Sequence, residues 1–161
     1  VNRMRFELAA GAQMIGWDIL ALGLPASGER FTQGRFEQDL ALPGAWLERG
    51  IVDPGDRLGE LLLRSPLGWD GQSALFTLWC AGGSDWPAPL AEALLAAARE
   101  RLQAAPDPGR CGATAPHPRV VVVRALADRV EALWPTLQAV RDDWRHLLWA
   151  SEPASPRVWR T

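Results

Sequence analysis

From Arg3 to Val52, apolar and polar residues alternate, and each run of alternation is cut short by a glycine or proline. Arg3–Ala9 alternates and stops at Gly11. Gln13–Leu20 alternates and stops at Gly23 and Pro25. Phe31–Leu42 and Ala45–Val52 are separated by Pro43-Gly44. A period of two places one side of an extended chain in a core and the other side outside it. This half therefore reads as short strands joined by turns. "RFELAAGAQMIG" (5–16) also resembles "RFEQDLALPGAWLERG" (35–50), with Arg-Phe-Glu, an apolar alternation and Gly-Ala in each. Two readings stay open: a repeated strand–turn–strand unit that must stack on a neighbour, or two unrelated hairpins.

Asp53-Pro54-Gly55-Asp56 marks a turn, a short apolar piece follows over 61–70, and Ser73–Ala81 reads as another strand. Then the period changes. Leu90, Leu94, Leu95, Ala98 and Leu102 recur at helical spacing over 88–104, with Ser84 or Asp85 as cap and Pro106 and Pro108 as terminators. Val120–Val123 has the composition of a strand buried on both faces. A second helix, capped by Asp128 and running to about Trp149, should kink at Pro135. The tail "SEPASPRVWRT" reads as extended, with Trp159 packing back onto the domain.

The 161 residues suffice for a single domain, 1–161, with a sizeable core. A formal net charge of −2 leaves no basic field for nucleic acid. All 17 cationic residues are Arg, so lysine Schiff-base and phosphate-loop chemistry are excluded. No apolar run reaches the ~20 residues of a membrane span. Cys80 and Cys111 in a chain this long point to a reducing compartment and to free thiols rather than a disulfide. The chain opens at Val1 directly into a strand pattern, as a piece lacking an N-terminal portion would.

No nucleophile motif is present: Ser27 lacks the leading glycine of G-x-S-x-G and reads as a turn residue. Cys80, Cys111, His117 and His146 lack the paired short spacing of a closed zinc site. The informative carboxylates are Glu7, Asp18 and Glu29. Asp18 shares its strand side with Gly16 and Leu20, not with Trp17. Two of these carboxylates could act as paired acid and base in a carbohydrate-active enzyme. They could line a polar passage for a cation, or simply satisfy turn amides and pair with Arg30.

"GAQMIGWDILALGLPASGERFTQGRFEQDLAL…LERGIV" and "VVVVRALADRVEALWPTLQAVRDDWRHLL…SPRVWRT" resemble the urease accessory protein family UreD, also called UreH. The matching positions are Gly11-Ala12, Trp17-Asp18, the run Leu22–Phe31 with Gly23, Pro25, Gly28 and Glu29, then Gly34–Gln38 and Glu48-Arg49. In the tail they are Arg157 and Trp159. Leu24 stands where the family usually has Arg. The resemblance corresponds to the C-terminal 55–60% or so of a family member.

The resemblance implies a mainly β fold. It would be a β-helix-like stack of short strands, truncated at the N-terminus, with two helices toward the C-terminus. It implies a non-enzymatic, cytoplasmic chaperone that binds apo-urease and joins UreF and the GTPase UreG during nickel insertion. No cofactor or metal would be bound stably. Nickel would be in transit along a polar interior, with Asp18 and Glu29 the candidate lining. Without the preceding half, the first strand would present a raw edge. The rival function is a β-helical carbohydrate-active enzyme or sugar-binding module.

Overall fold

A computed structural model of the protein describes residues 1–105, 107 and 110–160. Its elements are β1 (Asn2–Arg5), β2 (Gln13–Ala21), β3 (Phe36–Leu42), β4 (Trp46–Val52), α1 (Arg57–Arg64), β5 (Ala74–Gly82), α2 (Ala88–Gln103), β6 (Cys111–His117), β7 (Val120–Ala127) and α3 (Trp134–Trp149). The strands divide between two sheets. One is three-stranded in the order β1-β3-β4, and the other is four-stranded in the order β2-β5-β7-β6.

Side-chain parity sets the layering. Phe76, Leu78, Cys80, Val121 and Val123 face one way and pack with Leu94, Ala98 and Leu102 of α2 and Leu137, Val140 and Trp144 of α3. Their neighbours of opposite parity, Trp79, Ala81, Val120 and Val122, pack on Leu40, Leu42 and Trp46 of the three-stranded sheet. The result is three layers: helices, four-stranded sheet, three-stranded sheet. Arg119, in the β6–β7 turn, ties them at one end. Its guanidinium donates to the carbonyls of Gly82 at 3.1 Å, Gly83 at 3.2 Å and Pro43 at 3.2 Å.

The fold is therefore mixed α/β rather than mainly β. The expected β-helix-like stack is not formed among the described residues: β1 and β3 make the one parallel pairing there, and the other pairings are antiparallel. The Arg-Phe-Glu repeat has no structural counterpart either. β3 and β4 form a hairpin in one sheet, whereas β1 and β2 lie in different sheets. Arg5 pairs with Ala41, not with Arg35.

Helix α1 was not expected. Its residues Leu58, Leu61 and Leu62 do recur at helical spacing but face solvent, so no buried stripe announced it. Instead Asp53 accepts the Gly55 N–H at 2.9 Å, and Asp56 stands at the N-cap. Strand β6 lies in what reads as a Pro/Gly-rich connection; its pairing to β7 outweighs that composition. Pro135 does not kink a helix. It occupies the first turn of α3, where its missing N–H costs nothing, and Val130–Ala132 forms a separate 3-10 turn. α2 has no side-chain cap from Ser84 or Asp85; Pro87 is its N-cap. Pro106 and Pro108, expected to end α2, lie outside the described residues.

Trp144 joins the two long helices: it is fully buried, and its Nε1–H donates to the Leu94 carbonyl at 2.8 Å. Replacing it removes a large packed ring and leaves a cavity in the α2–α3 interface. Trp144→Ala is expected to lower unfolding free energy by about 3–5 kcal/mol. Urea titration followed by far-UV circular dichroism checks this, and a loss below ~1 kcal/mol would show that the site collapses.

A polar layer between the two sheets

The gap between the sheets is apolar at both ends and polar in the middle. At one end lie Leu40, Leu42, Trp46, Trp79 and Val122; at the other lie Leu22, Val52 and Trp69 with Leu20, Phe36 and Leu75 packed on them. Between them the strand registers place Asn2 beside Gln38, and Asp18 beside Thr77, itself beside Arg124. Glu48 of β4 joins this group from the three-stranded sheet.

The hydrogen bonds cross the gap. Asn2 Nδ2 donates to Asp18 Oδ1 at 3.0 Å. Arg124 donates to Glu48 Oε2 from Nε at 3.1 Å and from Nη2 at 2.5 Å, and Thr77 Oγ1 lies 3.5 Å from Glu48 Oε1. Burial raises the Asp18 carboxyl above its ordinary value; the Asn2 bond opposes this and the Glu48 charge adds to it. Gln38 is buried, and its Nε2 has no hydrogen-bond partner among the described residues. It lines, with Glu48, a cavity of about 80 Å³. Its walls are mostly apolar, with Leu20, Phe36 and Val52 beside the polar Gln38 and Glu48; it is wide enough for water, but well below the ~300–1,000 Å³ of a small-molecule pocket.

A family profile described as "UreD urease accessory protein" matches residues 1–160. The chain belongs to the UreD family. The urease accessory protein UreD of Leptothrix cholodnii is 48% identical, the match covering 99% of this chain and 56% of that protein. UreD of Methylibium petroleiphilum is 51% identical over 99% of this chain and 57% of its own length. UreD of Albidiferax ferrireducens is 45% identical over 98% and 56%. The chain spans little more than half the length of these curated relatives.

The structure separates the UreD motif residues into three places. Asp18 points into the polar layer. Trp17, next to it, points to the helix side, with its ring centroid 4.9 Å from Trp134 and 5.0 Å from Trp159. The Trp-Asp strand and the Pro-Arg-Val-Trp tail of UreD thus meet in one aromatic cluster, while Arg157 stands exposed in the terminal 3-10 turn. Gly23, Pro25, Gly28 and Glu29 form a surface turn. Pro25 opens a 3-10 turn, Gly28 closes it at φ 74°, and Leu24 and Glu29 bridge through two backbone bonds. A Cβ on Gly23, at φ 75°, would come within 2.5 Å of the Glu29 carbonyl oxygen.

Glu29 is exposed on that turn and is not brought together with Asp18. The carboxylate opposite Asp18 is Glu48 instead. Leu24 is also exposed, so an Arg there would meet Glu29 at the surface and not in a core. Cys80 and Cys111 are free, and burial raises both thiols, with the Asp107 charge adding to the effect at Cys111. Among the described residues no three of His, Cys, Asp and Glu converge as a metal site. No helix there is long and apolar enough to cross a membrane.

Asn2, Gln38, Glu48, Thr77 and Arg124 were missed as site residues. The signal was present as parity: each stands on the otherwise apolar side of its strand. As acid–base machinery the layer is poorly arranged, since Arg124 occupies one Glu48 oxygen.

Because burial raises the Asp18 carboxyl, its ionised form costs stability. That cost is absent below the ordinary carboxylate range and grows as pH rises through the raised value. Asp18→Asn keeps an oxygen for Asn2 and removes the charge facing Glu48. The variant is expected to melt higher than the parent at pH 7 and together with it at pH 3. Thermal melts across that range decide it; a lower melting temperature at pH 7 would mean that the charge itself holds the sheets.

Proposed function

We propose that this chain works as part of a urease-maturation scaffold, and is not an enzyme. The observation that carries the reading is the collinear similarity over residues 1–160 to proteins named urease accessory protein UreD. On this reading the full protein docks apo-urease and joins UreF and the GTPase UreG in the cytoplasm. Nickel is cargo in transit and is not held stably. The polar layer supports a transit role for Asp18. It offers hard oxygen atoms from Asp18 and Gln38 without a closed ligand set, so a passing cation is not trapped. Glu29, the other candidate lining residue, stands exposed on the surface turn.

The family's β-helix-like stack fits the longer relatives through one feature of this chain. β1 and β3 pair in parallel while β2, between them in sequence, lies in the other sheet. The three strands thus trace one turn of a coil.

The test uses the full-length protein, co-expressed with urease subunits and the other accessory proteins. Urease activity is expected to rise in a nickel-dependent way, and UreF to co-purify. Asp18→Asn is expected to lower nickel-dependent activation at limiting nickel by about tenfold while UreF still co-purifies. Hydrolysis of a glycoside by the protein alone, with no effect on urease, would overturn the scaffold reading.

A further inference from the structure

β6 closes the four-stranded sheet on the side away from β2, and among the described residues it pairs with β7 alone. Its outward backbone groups follow from the ladder. Gly82 N–H bonds to the Arg119 carbonyl, in the register that sets Ala74 opposite Ala127. Even-numbered positions of β5 and odd-numbered positions of β7 therefore turn their backbone groups toward each other. The even-numbered positions of β7 turn theirs to β6, where Gly112 stands opposite Arg124 and Thr114 opposite Val122. That leaves the N–H and C=O groups of Cys111 and Ala113 pointing away from the sheet.

An edge strand is a template for pairing with another chain, and charged side chains, prolines and bulges are what blunt it. β6 is poorly defended by its own residues. Cys111–Ala115 reads Cys-Gly-Ala-Thr-Ala, small and uncharged. Pro116 and the register shift between Thr114 and His117 disturb only its far end. At the near end, Arg110 is held by Asp70 at 2.7 Å and by Asp107. The middle is covered from another element. Arg99, toward the C-terminal end of α2, donates from Nε and from Nη2 to the Ala113 carbonyl, each at 3.3 Å. One side chain thus occupies the outward acceptor and sets a positive charge on the edge. Arg99 lies off the buried stripe of α2, which is made by Leu94, Ala98 and Leu102.

We propose that Arg99 is an edge guard, keeping the outer side of β6 closed to pairing with β6 of a second copy of this chain. Pairing two such edges about a two-fold axis displaces both Arg99 side chains from their carbonyls and brings two positive charges together. Without the arginines, two uncharged strands of small residues meet with their outward N–H and C=O groups unopposed.

The test follows mass by sedimentation velocity over a concentration series of the full-length protein, fused to a monomeric carrier. The parent is expected to stay monomeric, and so is Arg99→Lys, which keeps the charge and a donor. Arg99→Ala keeps the helix, alanine being the best helix former. It is expected to self-associate with a dissociation constant about tenfold below the parent's. Adding Gly112→Lys puts a charge on the strand itself, where a Cβ meets nothing within 4 Å. That second change is expected to return Arg99→Ala to the parental mass, a reversal that misfolding cannot imitate. Equal masses of the parent and Arg99→Ala at every concentration overturn the guard. Association of Arg99→Ala that Gly112→Lys leaves intact also overturns it, because the contact then runs through another surface.

Discussion

The constraint on which the rest depends is that β5 and β7 are apolar on both faces. All four valines of Val120–Val123 are buried, as are Phe76 through Ala81. Each buried aliphatic side chain contributes about 1.5–3 kcal/mol only if something covers it. Two covers are therefore needed. The helical pair α2 and α3 supplies one, because Leu94, Ala98 and Leu102 and Leu137, Val140 and Trp144 lie on matching stripes. The three-stranded sheet supplies the other. With both in place, β2 and β6 fall at the edges of the four-stranded sheet among the described residues.

Between the sheets the apolar packing is interrupted on purpose-built positions. Thr77 and Arg124 are polar members of the two central strands, and each has a partner in the opposite layer at Glu48. Asn2 and Asp18 do the same for β1 and β2. Sliding one sheet over the other by a residue pair would set Glu48 or Asp18 against leucine or tryptophan, leaving a buried charge unpaired. The layer thus holds register while it places oxygen atoms in the interior.

The surface turn around Glu29 has a different job. Gly23 and Gly28 supply left-handed backbone, Pro25 starts a single 3-10 turn, and Leu24 and Glu29 close the loop through their backbones. The aromatic cluster of Trp17, Trp134 and Trp159 is the counterpart on the helix side, where strand, helix and tail from distant parts of the chain meet.

Strand positions, both long helices and the turn glycines were legible in the residues, because each follows from local periodicity and backbone preference. So was the unusual side of Asp18 within its strand. Which strands pair was not legible. The Arg-Phe-Glu similarity suggested a repeat, and only the covering needs of β5 and β7 assigned β1 and β2 to different sheets. α1 and β6 were hidden for the same reason: one exposes its leucines, and the other lacks β-branched bulk and gains its order from β7. Sequence alone determined which faces had to be buried, since that depends on side chains a few residues apart. The tertiary structure decided what buries them, and with it that Asp18 faces Glu48 rather than Glu29, because such contacts depend on residues that only the folded chain brings into register.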